Sequence, residues 1–394
     1  PLLRYVGELG SMIRLVVNAV PIAPGGGLSV LIGLWGGLRE IAADLHITVL
    51  CGKRPTVGAL EERGLVDRVE PVLLDAHPTK HFMWQARKLG SFVARFKPDV
   101  LLSTNYYIPH VPCVQVVHHQ NLHTFAQRRM THYARHFQLG KLARAWLARE
   151  ALRRANANVF ISGFLRRKAQ ETCPTLASCN YVVYNGLSPE YLSVANEPIP
   201  EPDGYQICAV QSTQPHKDND VLIDAFARIC RTRPDANWHL SIAGPGDWRP
   251  WQEYAQRQGV GQRVSFLGYL TDAELVRLFM RSRCLIFTSR LEAFGLPIIE
   301  AMACGCPVVA APVTAIPEIG GEAFAPAEVS SADAFARAAL SVIQQPELAR
   351  RLARDGKNRA RRFRWARSAR RFLRIFRAAM ADTSAGRGPG LERE

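Results

Sequence analysis

Long apolar runs are the first thing this chain of 394 residues lacks. A helix that crosses a bilayer needs roughly 20 mostly apolar residues. No stretch approaches that, so an integral membrane protein is not expected. Residues 1–11 have neither the basic start nor the apolar centre of a secretory signal. Cysteine occurs nine times, as Cys51, Cys113, Cys173, Cys179, Cys208, Cys230, Cys284, Cys304 and Cys306, but never at metal-ligand spacing. An odd number outside any disulfide framework fits a reducing compartment. Cys304-Gly305-Cys306 is too tight for a zinc knuckle and suits a helix end. Solenoid repeats are absent, and so is the dinucleotide fingerprint G-x-G-x-x-G. Acidic residues are scarce, 34 against 50 lysines and arginines, leaving a net charge of +16. That surplus attracts acidic small molecules, anionic lipid or nucleic acid. No nucleic-acid recognition module accompanies the charge, so nucleic acid is not an expected partner. These absences describe a cytoplasmic protein, with the inner face of the membrane as a second place to look for it.

What is present is alternation. With 47% hydrophobic residues the chain can bury two cores of ordinary domain size. Apolar runs at residues 13–20, 47–51, 69–74, 100–103, 114–117 and 158–162 read as strands. Helical patterns at 28–43, 55–63, 82–96 and 163–170 lie between them, the last capped by Ser162. Strand and helix in turn make an α/β, doubly wound parallel sheet. Residues 188–204, rich in proline and acid, read as a linker. A second alternating half follows. Its strands are expected at 206–210, 238–242, 264–269, 284–288 and 308–310, and Thr271 with Glu274 forms a capping box for a helix at 272–280.

Polar landmarks sit where such sheets bind ligands. Pro24-Gly25-Gly26-Gly27 directly follows the first strand, so it either brings backbone close to a phosphate or makes a plain tight turn. His118-His119-Gln120-Asn121 ends the strand at 114–117. No carboxylate or cysteine at ligand spacing joins the histidines, so no metal is expected there. Residues 128–154 are strongly basic, with Leu142, Trp146 and Leu152 recurring among arginines. They form either a helix lying on an anionic membrane surface or a solvated face.

The densest signal lies at residues 283–311, RCLIFTSRLEAFGLPIIEAMACGCPVVAA. It reads as strand, loop, helix and strand, with Pro297 at the first helical turn and Gly305 and Pro307 stopping the helix. Amides around Phe294, Gly295, Leu296 and Ile298 offer a seat for an anion. Glu292 in the loop and Glu300 one turn into the helix flank that seat, and Glu300 leans back toward the helix start. Two carboxylates beside an anion site suit a ligand with hydroxyls on either side of a negative charge, as in a nucleoside-diphosphate sugar.

Glu292-Ala-Phe-Gly-Leu-Pro-Ile-Ile-Glu300 resembles the E-x7-E signature of the retaining glycosyltransferases of the family-4 type. Supporting matches are Lys217, the N-G turn at Asn185-Gly186, Ala315-Ile316-Pro317-Glu318 and Phe363-Arg364-Trp365. The resemblance implies the GT-B fold, two Rossmann-like doubly wound domains facing across a cleft. Its boundaries would be an acceptor-side domain at 1–187, a linker at 188–204, a nucleotide-sugar domain at 205–364, a helix at 365–380 crossing back to the first domain, and a disordered tail at 381–394. It also implies roles. Lys217 would bind the donor phosphates, helped by Gly25, Gly26, Gly27, Phe294, Gly295 and Leu296. Glu300 would hold ribose, and Glu292 the donor sugar. Gly244 and Leu267 would approach ribose or base through backbone, and His118, or instead His119, would lie near the donor sugar. Many members carry Gly-Arg where this chain has Gln211-Ser212, so Ser212 offers only a neutral hydrogen bond. The implied reaction moves a sugar, with GDP-mannose a weak first choice of donor, to a hydroxyl of a lipid-linked or cell-surface glycan. It retains configuration and uses neither metal nor cofactor. A nucleotide-sugar 2-epimerase of the same fold, or a non-catalytic nucleotide-binding module with a basic lipid-binding face, is the alternative.

Overall fold

The computed structural model describes residues 12–20, 22, 26–52, 64–72, 87–122, 125, 146, 148–174, 179–199, 201, 202 and 204–384. It divides into two compact units. The first takes the chain up to Ile161, Arg166–Tyr184 and the chain from Trp365; the second takes Ser162–Leu165 and Asn185–Arg364.

In the first unit, short runs of buried apolar residues pair as parallel strands: β1 (Ile13–Ala19), β2 (Leu45–Cys51), β3 (Arg68–Pro71), β4 (Val100–Thr104), β5 (Val114–His119), β6 (Ala157–Phe160) and β7 (Cys179–Val182). Their order is β3-β2-β1-β4-β5-β6-β7. Strands β4, β5 and β6 are buried along their whole length, as expected where both faces of a parallel sheet are covered. Helix Gly26–Ile41 covers one face together with the C-terminal helix Trp365–Ser384, whose Ala369, Phe372 and Phe376 join the same core as Leu31, Leu34 and Trp35.

The second unit repeats the design with β8 (Gln206–Val210), β9 (His239–Ala243), β10 (Val264–Gly268), β11 (Leu285–Phe287), β12 (Val308–Ala310) and β13 (Ala325–Pro326), in the order β10-β9-β8-β11-β12-β13. Its core is built from Ile207, Phe226, Trp238, Leu240, Ile286 and Phe335. In each sheet the order reverses once, between β1 and β4 and between β8 and β11. Ligands of open parallel sheets gather at the carboxyl ends of the strands at such reversals.

Several elements differ from the sequence reading. Strand β5 runs on through His118 and His119 rather than ending before them. The stretch read as a linker carries helix Pro189–Val194, with Tyr191 buried, because its apolar residues pack on helices Leu296–Ala303 and Asp272–Arg281. The C-terminal helix runs from Trp365 to Ser384, past residue 380. Within 82–96 the helix described is Leu89–Ala94. The helix expected at 55–63, Gly25, the tail beyond Ser384 and most of the basic stretch at 128–154 lie outside the described residues. Ser162 does cap its helix, accepting from the Leu165 amide at 3.1 Å. The capping box of Thr271 with Glu274 forms as well.

Small residues let the two helices of the first unit approach closely. A Cβ at Gly37 would stand 2.8 Å from the backbone carbonyl of Trp365, whereas one at Gly36 would meet nothing within 4 Å among the described residues. Backbone cannot swing aside as a flexible side chain can. Gly37→Ala should therefore lower stability by about 1–3 kcal/mol through overpacking. Gly36→Ala should be neutral or add up to about 1 kcal/mol, because alanine loses less entropy on entering a helix. Urea unfolding of the two variants checks this; equal stabilisation by both would contradict the packing.

Candidate active site

The loops leaving β8 and β11 in the second unit are latched to each other. After β8, the buried Gln211 donates through its side chain to Asn219 Oδ1 at 2.7 Å, and Asn219 Nδ2 donates back to the Ser212 carbonyl at 3.0 Å. Pro215–Lys217 then makes one tight turn, and Asp218 follows in the left-handed region with φ of 50°. Its carboxylate accepts from Ser330 Oγ at 2.7 Å and lies 3.4 Å from Arg290 Nε. Burial nevertheless raises its pKa. Past β11, Thr288 Oγ1 donates to the Lys217 carbonyl at 2.7 Å and the Arg290 amide to the His216 carbonyl at 3.0 Å.

This latch brings Lys217 against Glu292. Their Nζ and Oε1 atoms are 2.6 Å apart, with side chains only 15% and 13% exposed. Nζ also lies 5.4 Å from the centre of the Phe287 ring. The sequence reading assigned Lys217 to phosphate and Glu292 to sugar; the structure shows the two paired with each other. The Glu292 amide donates to Thr314 Oγ1 at 3.1 Å, which fixes the loop from the far side.

The helix Leu296–Ala303 begins after Gly295, whose φ is 91°. Not every amide in the stretch from Phe294 to Ile298, where an anion seat is expected, is open. The Ile298 amide donates to the Gly295 carbonyl at 3.1 Å, while the amides of Gly295 and Leu296 have no acceptor among the described residues. Phe294 is buried edge-on against Phe363, ring centres 5.8 Å apart. It shapes the turn through packing.

Glu300 behaves differently from Glu292. Among the described residues its carboxylate has no hydrogen bond and no ion pair. Burial, and next the nearby charge of Asp272, push its pKa up to about 8. Tyr191 sits close enough for Glu300 to help burial raise the pKa of its phenol, and the buried hydroxyl has no partner among the described residues. Neither Tyr191 nor Asp272 was singled out from the sequence. Tyr191 lies in a stretch whose prolines and acids suggest a linker, and in the sequence Asp272 stands out only as the start of a capped helix.

Two further positions border the same strand ends. Gly244 has φ of 139°, and a Cβ there would stand 2.0 Å from the Gln211 carbonyl oxygen. Only glycine lets the β8 and β9 loops come this close. Its amide donates to the Gly268 carbonyl at 2.7 Å, which draws in the end of β10, where Leu267 is exposed. Ser212 Oγ faces the Gln214 amide at 3.5 Å, a long contact that supports its own turn.

In the first unit, Gly26 and Gly27 open helix Gly26–Ile41. A Cβ on Gly27 would lie 3.6 Å from Gln120 Oε1, and Gln120 Nε2 contacts His118 Nδ1 at 3.1 Å. The backbone amide of Gln120 donates to Asn105 Oδ1 at 2.8 Å. The structure therefore gathers Gly27, Gln120 and His118 in one corner. With Gln120 donating, the His118 proton sits on Nε2, which has no partner among the described residues. His119 points to the opposite face of the sheet, stacked on Phe160 at 4.8 Å with Nε2 2.9 Å from Asn158 Oδ1. Both histidines are buried. Burial lowers their pKa values, to about 3 for His118 and about 4 for His119, so both are neutral near pH 7. Among the described residues no group of three or more His, Cys, Asp or Glu could hold a metal ion. The buried thiols of Cys304 and Cys306 have raised pKa values, chiefly through burial. No helix among the described residues is long and apolar enough to cross a membrane.

Two parallel α/β units with this order of strands have close structural counterparts. Sucrose-phosphate synthase from Thermosynechococcus elongatus superposes with a TM-score of 0.74 at 17% identity, covering 94% of this chain and 99% of the other. That likeness defines the fold as GT-B. Sequence adds the rest. Residues 24–191 match the model of Glycosyltransferase Family 4, and residues 195–359 that of Glycosyl transferases group 1. The chain belongs to the family-4 type of glycosyltransferases. O-antigen chain mannosyltransferase B of Escherichia coli is 26% identical over 313 residues, 76% of this chain and 78% of that protein. A GDP-mannose-dependent alpha-(1-6)-phosphatidylinositol dimannoside mannosyltransferase of Mycobacterium tuberculosis is 31% identical over 180 residues. That match spans 45% of each chain, so this chain covers less than half of the second relative's length.

The state of Glu300 has a measurable consequence. Its pKa is higher in the folded protein than in the unfolded chain, where it is 4.5. Between that value and about 8 the folded state holds a proton that the unfolded state releases, so this group's contribution to stability falls as pH rises through the interval. Glu300→Gln should remove that slope. The variant should melt higher than wild type at pH 8, with the gap closing toward pH 4.5. Melting curves across that range check it, and parallel curves for the two proteins would contradict the burial of an unpartnered carboxyl.

Proposed function

We propose that this protein is a cytoplasmic retaining glycosyltransferase that moves a hexose from a nucleoside-diphosphate sugar to a hydroxyl of a lipid-linked or cell-surface glycan. GDP-mannose is the first donor to try. The observation that carries the reading is the Lys217–Glu292 pair at the strand reversal of the second unit, followed eight residues on by Glu300, which has no ion pair among the described residues. It supplies one cation for a diphosphate and two carboxylates for hydroxyls. The two mannosyltransferase relatives support the choice of sugar, and the second of them that of the nucleotide.

In this reading the bond between the anomeric carbon and the β-phosphate oxygen breaks, and its electron pair leaves with the diphosphate. Charge develops on that leaving group, so groups aimed at it lower the barrier. Lys217 turns from Glu292 toward the phosphate, joined by the Gly295 and Leu296 amides. Glu300 takes the ribose hydroxyls and Glu292 a hydroxyl of the donor sugar. The acceptor hydroxyl attacks from the face the diphosphate leaves, which preserves configuration, and its proton passes to a phosphate oxygen. A covalent double displacement would need two carboxyls astride one bond. With Glu300 committed to ribose, that route is disfavoured. The scheme uses no metal and no cofactor.

A panel of GDP-, UDP- and ADP-sugars, scored first for protection against thermal unfolding and then for transfer, tests the assignment. One donor should protect and then turn over with an acceptor present. Isomerisation of the donor without an acceptor would replace this reading with a 2-epimerase, and binding without turnover would replace it with a nucleotide-binding module. With the productive donor, Lys217→Ala should lower kcat by about 10²–10³, the usual loss for one electrostatic donor to a developing anion. Glu300→Gln should act mainly on KM, by about tenfold or more, because hydrogen bonds to a charged group are worth about 1.5–3 kcal/mol. Full activity of the lysine variant would remove Lys217 from the reaction.

A further inference from the structure

The C-terminal helix Trp365–Ser384 has two unlike faces. Ser368, Ala369, Phe372, Leu373, Ile375, Phe376 and Ala379 are buried in the first unit. Arg367, Arg370, Arg371, Arg374 and Arg377 are all exposed. At 3.6 residues per turn these five fall within an arc of about 120° and along about 15 Å of axis, a single stripe. Arg377, at one end, lies 3.1 Å from Asp44. Arg367, Arg370, Arg371 and Arg374 have no acidic partner among the described residues, and the helix carries no carboxylate before Asp382. Four like charges one turn apart repel each other. Folding gains nothing from placing them together, so the stripe is costly unless something anionic faces it.

From this we infer that the exposed face of helix Trp365–Ser384 is a docking surface for an anionic lipid bilayer. The shape of the stripe favours a plane over a nucleic acid. A helix that reads a groove must be free to enter it, and this one is held along its other face by the core of the first unit. A half-embedded helix can still lay a straight row of guanidiniums against lipid phosphates, each paired in fork geometry. The attraction is electrostatic, weakening by about fivefold for each basic side chain lost and falling off within a Debye length. It does not depend on the sugar-transfer reading, which would stand or fall separately.

The test is sedimentation of the full chain with vesicles of phosphatidylcholine, with and without phosphatidylglycerol, at low salt and at about 1 M salt, where the Debye length is about 3 Å. Wild type should bind only the phosphatidylglycerol vesicles, and only at low salt. The variant R367E/R370E/R371E/R374E should bind them at least tenfold more weakly, whereas R367K/R370K/R371K/R374K should keep most of the binding. A control of equal charge change, R231E/R277E/R337E/R351E, reverses four exposed arginines of the second unit and should bind like wild type. If the first reversal does not fold, R367Q/R370Q/R371Q/R374Q takes its place with the same expected direction. Undiminished binding by the stripe variants, or an equal loss in the control, would overturn the proposal. So would a wild type that ignores both vesicles, or one that prefers duplex DNA to anionic vesicles at matched phosphate concentration.

Discussion

A lysine and a glutamate that have lost most of their water hold two loops of the second unit together. Removing either charge from solvent is costly, and the attraction between them offsets that cost only when the geometry is good and the surroundings stay in place. Here the surroundings are the Thr288 bond to the Lys217 carbonyl, the left-handed Asp218 and the Thr314 bond to the Glu292 amide. Without them Lys217 would be one more flexible surface lysine in a chain rich in basic residues. With them it stands at the carboxyl ends of β8 and β11, paired with Glu292.

Glu300 completes the site by contrast. It sits near Asp272 and the apolar body of Tyr191 with no ion pair among the described residues, so burial and the nearby charge favour its proton. A carboxyl in that state resists burial in its charged form and gains from any donor hydroxyl brought to it. One glutamate is therefore satisfied and the other is not, although the sequence spaces them only eight residues apart. The difference comes from tertiary surroundings, since Glu292 faces Lys217 across the β8 loop while Glu300 faces the short helix that carries Tyr191.

That contrast shows what could be read in advance. The alternation of strands and helices, the start of helix Leu296–Ala303 beside Pro297 and the capping box at Thr271 follow from local chemistry, and the structure contains them. The carboxylate pair and Lys217 were legible as a set because their spacing resembles a family signature. Their mutual pairing was not, because it depends on a left-handed Asp218, and nothing in Lys217-Asp218-Asn219 announces a positive φ. Helix Pro189–Val194 was hidden by the prolines and acids around it, which made a folded segment look like a linker. His118 and His119, being polar, look in the sequence like the end of a strand. They continue it instead, since Asn158 and Gln120 supply hydrogen bonds inside the sheet.

The most direct test is a crystal structure with the nucleoside diphosphate that protects the protein best. Lys217 Nζ should leave Glu292 and lie about 3 Å from a diphosphate oxygen, the ordinary length of such a bond, with Glu300 accepting from the ribose hydroxyls. A diphosphate bound elsewhere, with the 2.6 Å contact between Lys217 and Glu292 intact, would contradict it.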